Sequence, residues 1–316
     1  MKMSKNCAIN AILACCLVLG LCSFRCDAQN ADALFAKTSA EEDVKAAEAG
    51  DTWATIRAGY RYLTGEAGRI SPEKAASYFV RAVDHSPEAS AWLGYSYIST
   101  YPNDPNLQVS GLRLLQDGTQ SNNPVAETLL GRVYQLGLAG QSPNIESARA
   151  LYMQAAPSFA LAKTYLAEIQ AKAKDYQGAR SLCQDATTSG ETDSMVLLAT
   201  MYLNGLGGPR DTSAAIQLLN AAVARWNPRA AYRLGLIYRD GEFGLNRNPT
   251  SAFRLFKRSA QLRFRPAETA LGICYAEGIG VEQDYAAAAY WLRKAASNDP
   301  VAQRWLATTE QHLQSH

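Results

Sequence analysis

A tyrosine returns along this 316-residue chain at a nearly constant interval, and that interval restricts the fold more than any other feature. Tyr62, Tyr97, Tyr134, Tyr165, Tyr202, Tyr238 and Tyr275 are separated by 35, 37, 31, 37, 36 and 37 residues. Three positions before them stand small residues: Gly59, Gly94, Gly131, Ala162, Ala199, Gly235 and Gly272. Three positions after five of them stands a glycine (Gly65, Gly137, Gly205, Gly241, Gly278), while Thr100 and Glu168 break the pattern in the second and fourth units. A period of about 36 residues is the mark of a stacked array of small structural units.

Each unit spells two helices. Small residue, tyrosine and glycine at i, i+3 and i+6 share a helical face. The glycine suits a C-terminal cap, because it tolerates a left-handed backbone. Nine or ten residues after the tyrosine comes a helix-starting residue: Ser71 before Pro72, Asn144, Asp175, Asp211, Asn248 before Pro249, and Asp284. Such side chains accept hydrogen bonds from first-turn amides, and proline fits the first helical position. Only Asp104-Pro105, in the second unit, starts early. Four residues after each cap stands alanine (Ala75, Ala148, Ala179, Ala215, Ala252, Ala288), with Phe79, Leu151, Leu182, Leu218, Leu255 and Trp291 expected as the bulky residues of that face. Small residues let helix axes approach and bulky ones fill the space between layers. A lone pair of helices cannot bury these faces, but stacking can. The expectation is an all-α, right-handed α-solenoid of about seven helix–turn–helix units over residues 40–313. Ala40–Gly50 reads as a lone second helix in front, 301–313 as a further first helix behind, and 314–316 as a tail.

Units such as Ala231-Tyr232-Arg233-Leu234-Gly235-Leu236-Ile237-Tyr238-Arg239-Asp240-Gly241 resemble the Sel1-like repeat, a relative of the tetratricopeptide repeat. The fullest match runs from Leu271-Gly272-Ile273-Cys274-Tyr275 through Gly278, Asp284, Ala288 and Trp291 to Ala295-Ala296. The resemblance implies a protein-interaction scaffold. Exported relatives include assembly factors for exopolysaccharide export, regulatory periplasmic proteins and virulence factors.

Residues 1–28 read as a signal peptide. Lys2 and Lys5 give a basic start, the run Cys7–Cys22 is apolar but shorter than a typical span, and Cys26-Asp27-Ala28 precedes a plausible cut at Gln29. A lipoprotein anchored through Cys15 or Cys16 and an uncleaved anchor are the alternatives. The expectation is an exported, periplasmic chain, with no membrane span after cleavage and a flexible segment over 29–39. Five of seven cysteines lie in the leader, leaving Cys183 and Cys274 far apart. That is not the framework of a disulfide-stapled domain, and both are expected as small buried residues.

No catalytic, cofactor or metal site is expected. Gly-x-Ser-x-Gly, His-Glu-x-x-His and Cys-x-x-Cys are absent, and only His85, His312 and His316 occur. Gly205-Leu206-Gly207-Gly208 lacks the preceding strand and the lysine of a phosphate loop, and so reads as a turn. Gly278, Glu282 and Asp284 supply too few oxygens for a calcium loop.

Charge is segregated. Between Arg225 and Arg265 ten bases face two acids, whereas residues 29–224 carry 15 bases and 20 acids. Nine of those ten bases are arginine, which pairs bidentately with carboxylates and stacks on rings. Arg225, Arg229, Arg233, Arg239, Arg254, Arg258 and Arg265, with Trp226 and Tyr232 as anchors, form the candidate partner surface. Its expected partners are proteins, acidic ones among them, with anionic polysaccharide or lipid as alternatives and nucleic acid not expected. Ordinary solvated helix faces rich in arginine are the competing reading.

Overall fold

A computed structural model describes residues 31–36, 38–65, 71–297 and 299–314. The signal peptide expected over 1–28 lies outside the described residues. Helices make up the described chain, with one short 3-10 turn at Ala31–Phe35 ahead of them. First helices of the repeats are α2 (Thr52–Thr64), α4 (Pro87–Thr100), α6 (Pro124–Leu136), α8 (Ala160–Lys172), α10 (Thr192–Asn204), α12 (Pro228–Asp240) and α14 (Arg265–Glu277). Their second helices are α3 (Pro72–Ala82), α5 (Pro105–Gln120), α7 (Ile145–Ala155), α9 (Tyr176–Thr188), α11 (Thr212–Ala224), α13 (Pro249–Gln261) and α15 (Tyr285–Ala295). A lone second helix, α1 (Ala40–Glu48), precedes the array and a first helix, α16 (Pro300–Gln314), closes it. The fold is therefore an α-solenoid of seven helix pairs.

One contact recurs in four of the seven pairs. The small residue of the first helix sits against a buried side chain of the second. A Cβ built on Gly235 would lie 2.6 Å from the Phe256 ring, one on Gly131 2.6 Å from Tyr152, and one on Gly272 2.6 Å from Leu292. In the second pair glycine faces glycine, with the Gly111 carbonyl 2.8 Å from a Cβ on Gly94. The alanines expected four residues into the second helices are fully buried, but the bulky partners fall one residue later than the sequence pattern suggests. Phe79 is fully buried as expected. Beyond it, Tyr152, Cys183, Leu219, Phe256 and Leu292 are the buried residues, whereas Leu151, Leu182, Leu218, Leu255 and Trp291 are half-buried. Helical geometry explains the shift, since i and i+4 stack along one ridge while i+3 falls to its flank.

Backbone hydrogen bonds fix the loops. The cap amide of the second helix donates to the carbonyl of the repeat tyrosine: Ser71 to Tyr62, Asn144 to Tyr134, Asp211 to Tyr202, Asn248 to Tyr238 and Asp284 to Tyr275, at 2.7–3.0 Å. The fourth unit corrects the sequence register. There Asp175 donates to Gln170, so Gln170 and Ala167 occupy the positions expected for Tyr165 and Ala162. The loop after α8 has shrunk to three residues (Ala173–Asp175), with Lys174 taking the left-handed conformation at φ 66°. The glycine-rich turn at 205–208 has a packing role. A Cβ on Gly207 would lie 2.1 Å from the Tyr176 carbonyl, and one on Gly280 2.1 Å from that of Pro249, so each loop rests on the start of the preceding second helix.

First helices of most successive repeats also touch one another and form an inner wall. Residues at their N-terminal caps stitch that wall. Asn123 donates to Glu88 at 3.0 Å, Asn227 to Thr192 at 2.9 Å, and Glu191 and Asp299 accept from Thr164 and Thr269 at 2.7 and 2.6 Å.

Residues 31–36, expected within a flexible segment, pack instead. Ala31, Leu34 and Phe35 are buried at 3%, 3% and 5% exposure in the core of the first four repeats. Leu34-Phe35 is an apolar pair, and leaving two large apolar side chains in water costs about 1.5–3 kcal/mol each.

Gly235→Ala tests the recurring contact. Helix propensity alone would favour alanine by about 1 kcal/mol. Against Phe256 the added methyl overpacks the interface, a cost of about 1–3 kcal/mol. We expect a lower melting temperature for Gly235→Ala, partly restored by adding Phe256→Leu, both read by thermal denaturation.

Candidate functional site

The nine residues of the arginine-rich surface do not form one patch. Arg225, just after α11, is half-buried and its Nη2 donates to the Phe35 carbonyl at 2.8 Å. It holds the N-terminal segment and does not face solvent freely. Arg258 on α13 donates to the Val223 carbonyl at 2.7 Å and lies over the Trp226 ring at 4.3 Å. Arg81, at the same position of α3, donates to Ala47 at 2.9 Å. This position therefore straps a second helix to the end of the previous one, where the last carbonyls lack helical partners. Burial pulls the Arg258 guanidinium below its usual pKa. Arg254, one turn earlier, is exposed and does not share this role. Arg233 is half-buried, with its Nε lacking a hydrogen-bond partner.

Trp226 holds a strained backbone. Its φ is 64°, at a turn position where other repeats place Gly50, Asn122, Gly190 or Arg263, and the residue is 45% exposed. A bulky residue in the left-handed region is an outlier; here the strap from Arg258 holds it.

Four of the nine line the inner wall. Tyr232, Arg239 and Arg265 border a groove of about 430 Å³ between α12, α14 and α16, with Ile273, Asp299 and Val301 on its other sides. Tyr232 packs its ring on Phe256 and Phe264, with centroids 5.8 and 5.5 Å away, and burial raises its pKa. Arg239 is bidentate to Asp240, both contacts 2.7 Å, which holds the Asp240 carboxyl below the usual carboxylate range. Arg265 is exposed and has no ion pair among the described residues. Arg229 borders a second cleft, of about 260 Å³, in which Tyr60 and Leu63 of the first repeat meet Asn227, Pro228 and Phe264 of the sixth and seventh. Residues of the first repeat and of the sixth and seventh thus border one cleft.

On another edge, Arg263, Arg265 and Lys294 surround Glu268 in a groove of about 650 Å³, with Tyr290 and Trp291 beside it. Lys294 Nζ lies 4.4 and 4.6 Å from those two ring centroids. This basic and aromatic groove extends the candidate surface beyond its sequence boundary at Arg265.

Sequence reasoning missed the apolar socket on the inner wall. Phe35 stacks on Phe159 at 5.9 Å and meets the Tyr60 ring edge-on at 6.0 Å, with Trp92 behind Tyr60 at 5.2 Å. One signal was available. Phe159 and Phe264 occupy N-cap positions without a side-chain cap hydrogen bond, where other first helices use Asp51, Ser86, Asn123 and Asn227. Giving up a cap costs about 1 kcal/mol, so an aromatic there has work elsewhere.

The buried titratable groups have structural roles. Burial pushes the Cys183 and Cys274 thiols up to about 12 and about 11, which keeps them protonated and poor nucleophiles. Glu191 caps α10 and is pushed up to about 7 by burial and by Asp193. Glu127, bonded by Gln154 at 2.6 Å, is pushed up to about 7 by burial.

The architecture is that of a helical-repeat solenoid, a class whose members present extended walls to other proteins. The chain belongs to the Sel1 repeat family: the Sel1 repeat matches residues 54–86, 124–156, 192–225, 228–264 and 265–300, more than half of its length. The two helix pairs outside those matches are the ones whose first helix lacks a glycine cap. A Sel1 repeat protein from Oxalobacter formigenes has a similar fold, with a TM-score of 0.56 and 24% identity over 89% of this chain and 86% of that one. Chitin synthase regulatory factor 3 of Schizosaccharomyces pombe is 28% identical over 192 residues, covering 57% of this chain and 21% of that protein. Chitin synthase regulator SKT5 of Saccharomyces cerevisiae is 25% identical over 255 residues, covering 75% of this chain and 36% of that protein. This chain thus spans only a minor part of either regulator. Among the described residues no helix is long and apolar enough to cross a membrane.

Two outcomes follow. Arg258→Ala removes a charge-assisted hydrogen bond and should cost about 1–2 kcal/mol of stability. Arg254→Ala should stay within about 0.5 kcal/mol in denaturant titrations. For the buried carboxyls the folded-state pKa is raised, so the stabilising protonated form is fully present below about 4.5 and lost as pH rises through about 7. The melting temperature should fall between pH 5 and 8, and Glu127→Gln should flatten that slope; an unchanged slope would contradict the assignment.

Proposed function

We propose that this protein is a non-enzymatic, exported scaffold that holds partner proteins along its inner wall. The carrying observation is the groove formed by Tyr232, Arg239, Arg265 and Ile273, which places aromatic, cationic and aliphatic side chains together on a preformed surface. Aromatic and arginine side chains on such surfaces supply most of the binding energy in protein interfaces. Partner segments bearing carboxylates fit Arg265 and Arg229. The signal-like leader supports a periplasmic location, with lipid anchoring through Cys15 or Cys16 as the alternative.

The process served is assembly of a polysaccharide-secreting or other envelope complex. The names of the two fungal relatives, both regulators of a polysaccharide synthase, support that reading, and they equally support regulation of a membrane-bound enzyme or sensor. The groove of Arg263, Lys294, Tyr290 and Trp291 fits an anionic polysaccharide as a second ligand: rings stack on sugars and the cations face carboxylates.

In-cell crosslinking distinguishes the inner wall from the rest of the surface. A photo-reactive residue at Ile273 should capture a discrete protein partner, and one at Arg254 should not. Capture of the same partner at Arg254 alone would refute the assignment. Turnover of peptidoglycan or polysaccharide by purified protein would refute the non-enzymatic reading.

A further inference from the structure

We propose that residues 31–36 are a displaceable ligand the chain carries for its own inner wall, and that the socket they fill takes an extended partner segment with adjacent aliphatic and aromatic side chains. The proposal rests on the inner-wall reading above. It is separable from it, because failure of the socket would leave partner capture at Ile273 intact.

Three observations distinguish this segment from a core element. Its own structure is a single 3-10 turn, with Ala36 donating to Ala33 at 3.3 Å, a form with poorer hydrogen-bond geometry than the α-helix. It connects parts of the array that a solenoid does not otherwise join: Arg225 and Phe35 are 190 positions apart. A typical bond between repeats, Arg132 to Glu168, spans 36. And it is gripped the way proteins grip peptides. Guanidinium groups hold its main-chain carbonyls, with Arg225 on Phe35 at 2.8 Å and Arg57 on Ala33 at 3.5 Å, while Arg61 holds the Thr38 carbonyl just beyond it at 2.6 Å. Main-chain contacts of this kind bind irrespective of sequence, while side-chain pockets select. The pocket here selects Phe35, which stacks on the face of Phe159 and meets Tyr60 edge-on.

The socket is built from the solenoid, not from the segment. Phe159 is fully buried at a cap position that it does not cap. Tyr60 also borders the 260 Å³ cleft with Leu63, Arg229 and Phe264, so the channel continues past the point where residues 31–36 lie. A longer segment with the same Leu-Phe signature would fill both. Thr38, bonded to the buried Asp43 at 2.9 Å, marks the hinge: Asp43 is itself held by Arg57 and Arg61 at 2.8 and 2.7 Å. Displacement would open the chain N-terminal to this anchor and leave the repeats in place.

The test uses the full chain with a specific protease site inserted after Ala36 and cleaved in the folded state. The freed N-terminal fragment should leave on gel filtration at low micromolar concentration while the helical circular dichroism is retained. The remaining protein should bind a fluorescent peptide of residues 29–38 at one to one. A Phe35→Ala peptide should bind at least tenfold more weakly. Uncleaved Phe35→Ala protein should keep its helix content and bind the wild-type peptide, whereas the uncleaved natural chain should bind it at least tenfold more weakly. Loss of helix content in the Phe35→Ala chain would overturn the proposal. So would a fragment that never exchanges with excess peptide, or equal binding of the two peptides.

Discussion

Everything in this molecule depends on how closely the two helices of a repeat cross. At the crossing a glycine or alanine faces a buried residue, as Gly235 faces Phe256 and Gly131 faces Tyr152. That approach sets where the loop must turn, and in two units a loop glycine, Gly207 or Gly280, rests on the preceding second helix. The repeat tyrosine packs its half-buried ring against the core clusters, and in five units its carbonyl receives the cap amide of the next helix. A local steric rule is thereby propagated into a long-range shape. The inner wall follows from the same geometry, since first helices meet one another only when each pair is tightly closed.

Function is read from departures from that rule. The aromatic caps Phe159 and Phe264 give up a helix-capping hydrogen bond and place rings on the inner wall. Trp226 keeps a backbone conformation that glycine would adopt without cost. Arg225 reaches across the wall and leaves its own repeat. They prepare an inner wall with an apolar socket at its first repeats and a cationic groove at its last.

Much of the architecture was legible in the sequence, for a physical reason: a repeated unit writes the same packing constraint several times, so noise in one copy is corrected by the others. Alanines, caps and glycine turns could be assigned residue by residue. The fourth unit failed because Tyr165 supplied a plausible tyrosine five positions before its true equivalent, Gln170, and only the shortened loop exposes the difference. The site was far less legible. Charge counting along the chain joined Arg225, Arg254 and Arg258 to Arg265, although Arg225 and Arg258 are occupied by carbonyls and Arg254 is exposed one turn before Arg258. Phe35 reads as part of a flexible segment because its partners lie in other repeats, and contacts that cross the superhelix have no sequence period.

The central claim is that the solenoid is complete by itself and that its inner wall is a binding channel closed by residues 31–36. Amide hydrogen exchange of the intact protein tests it most directly. The account predicts that the amides at the helix crossings, in the middle of α6, α10, α12 and α14, exchange only through global unfolding. The Ala36 amide should exchange far faster, through local release of the segment. Exchange of Ala36 at the global rate, together with the crossings, would make the segment part of the folding core and contradict the account.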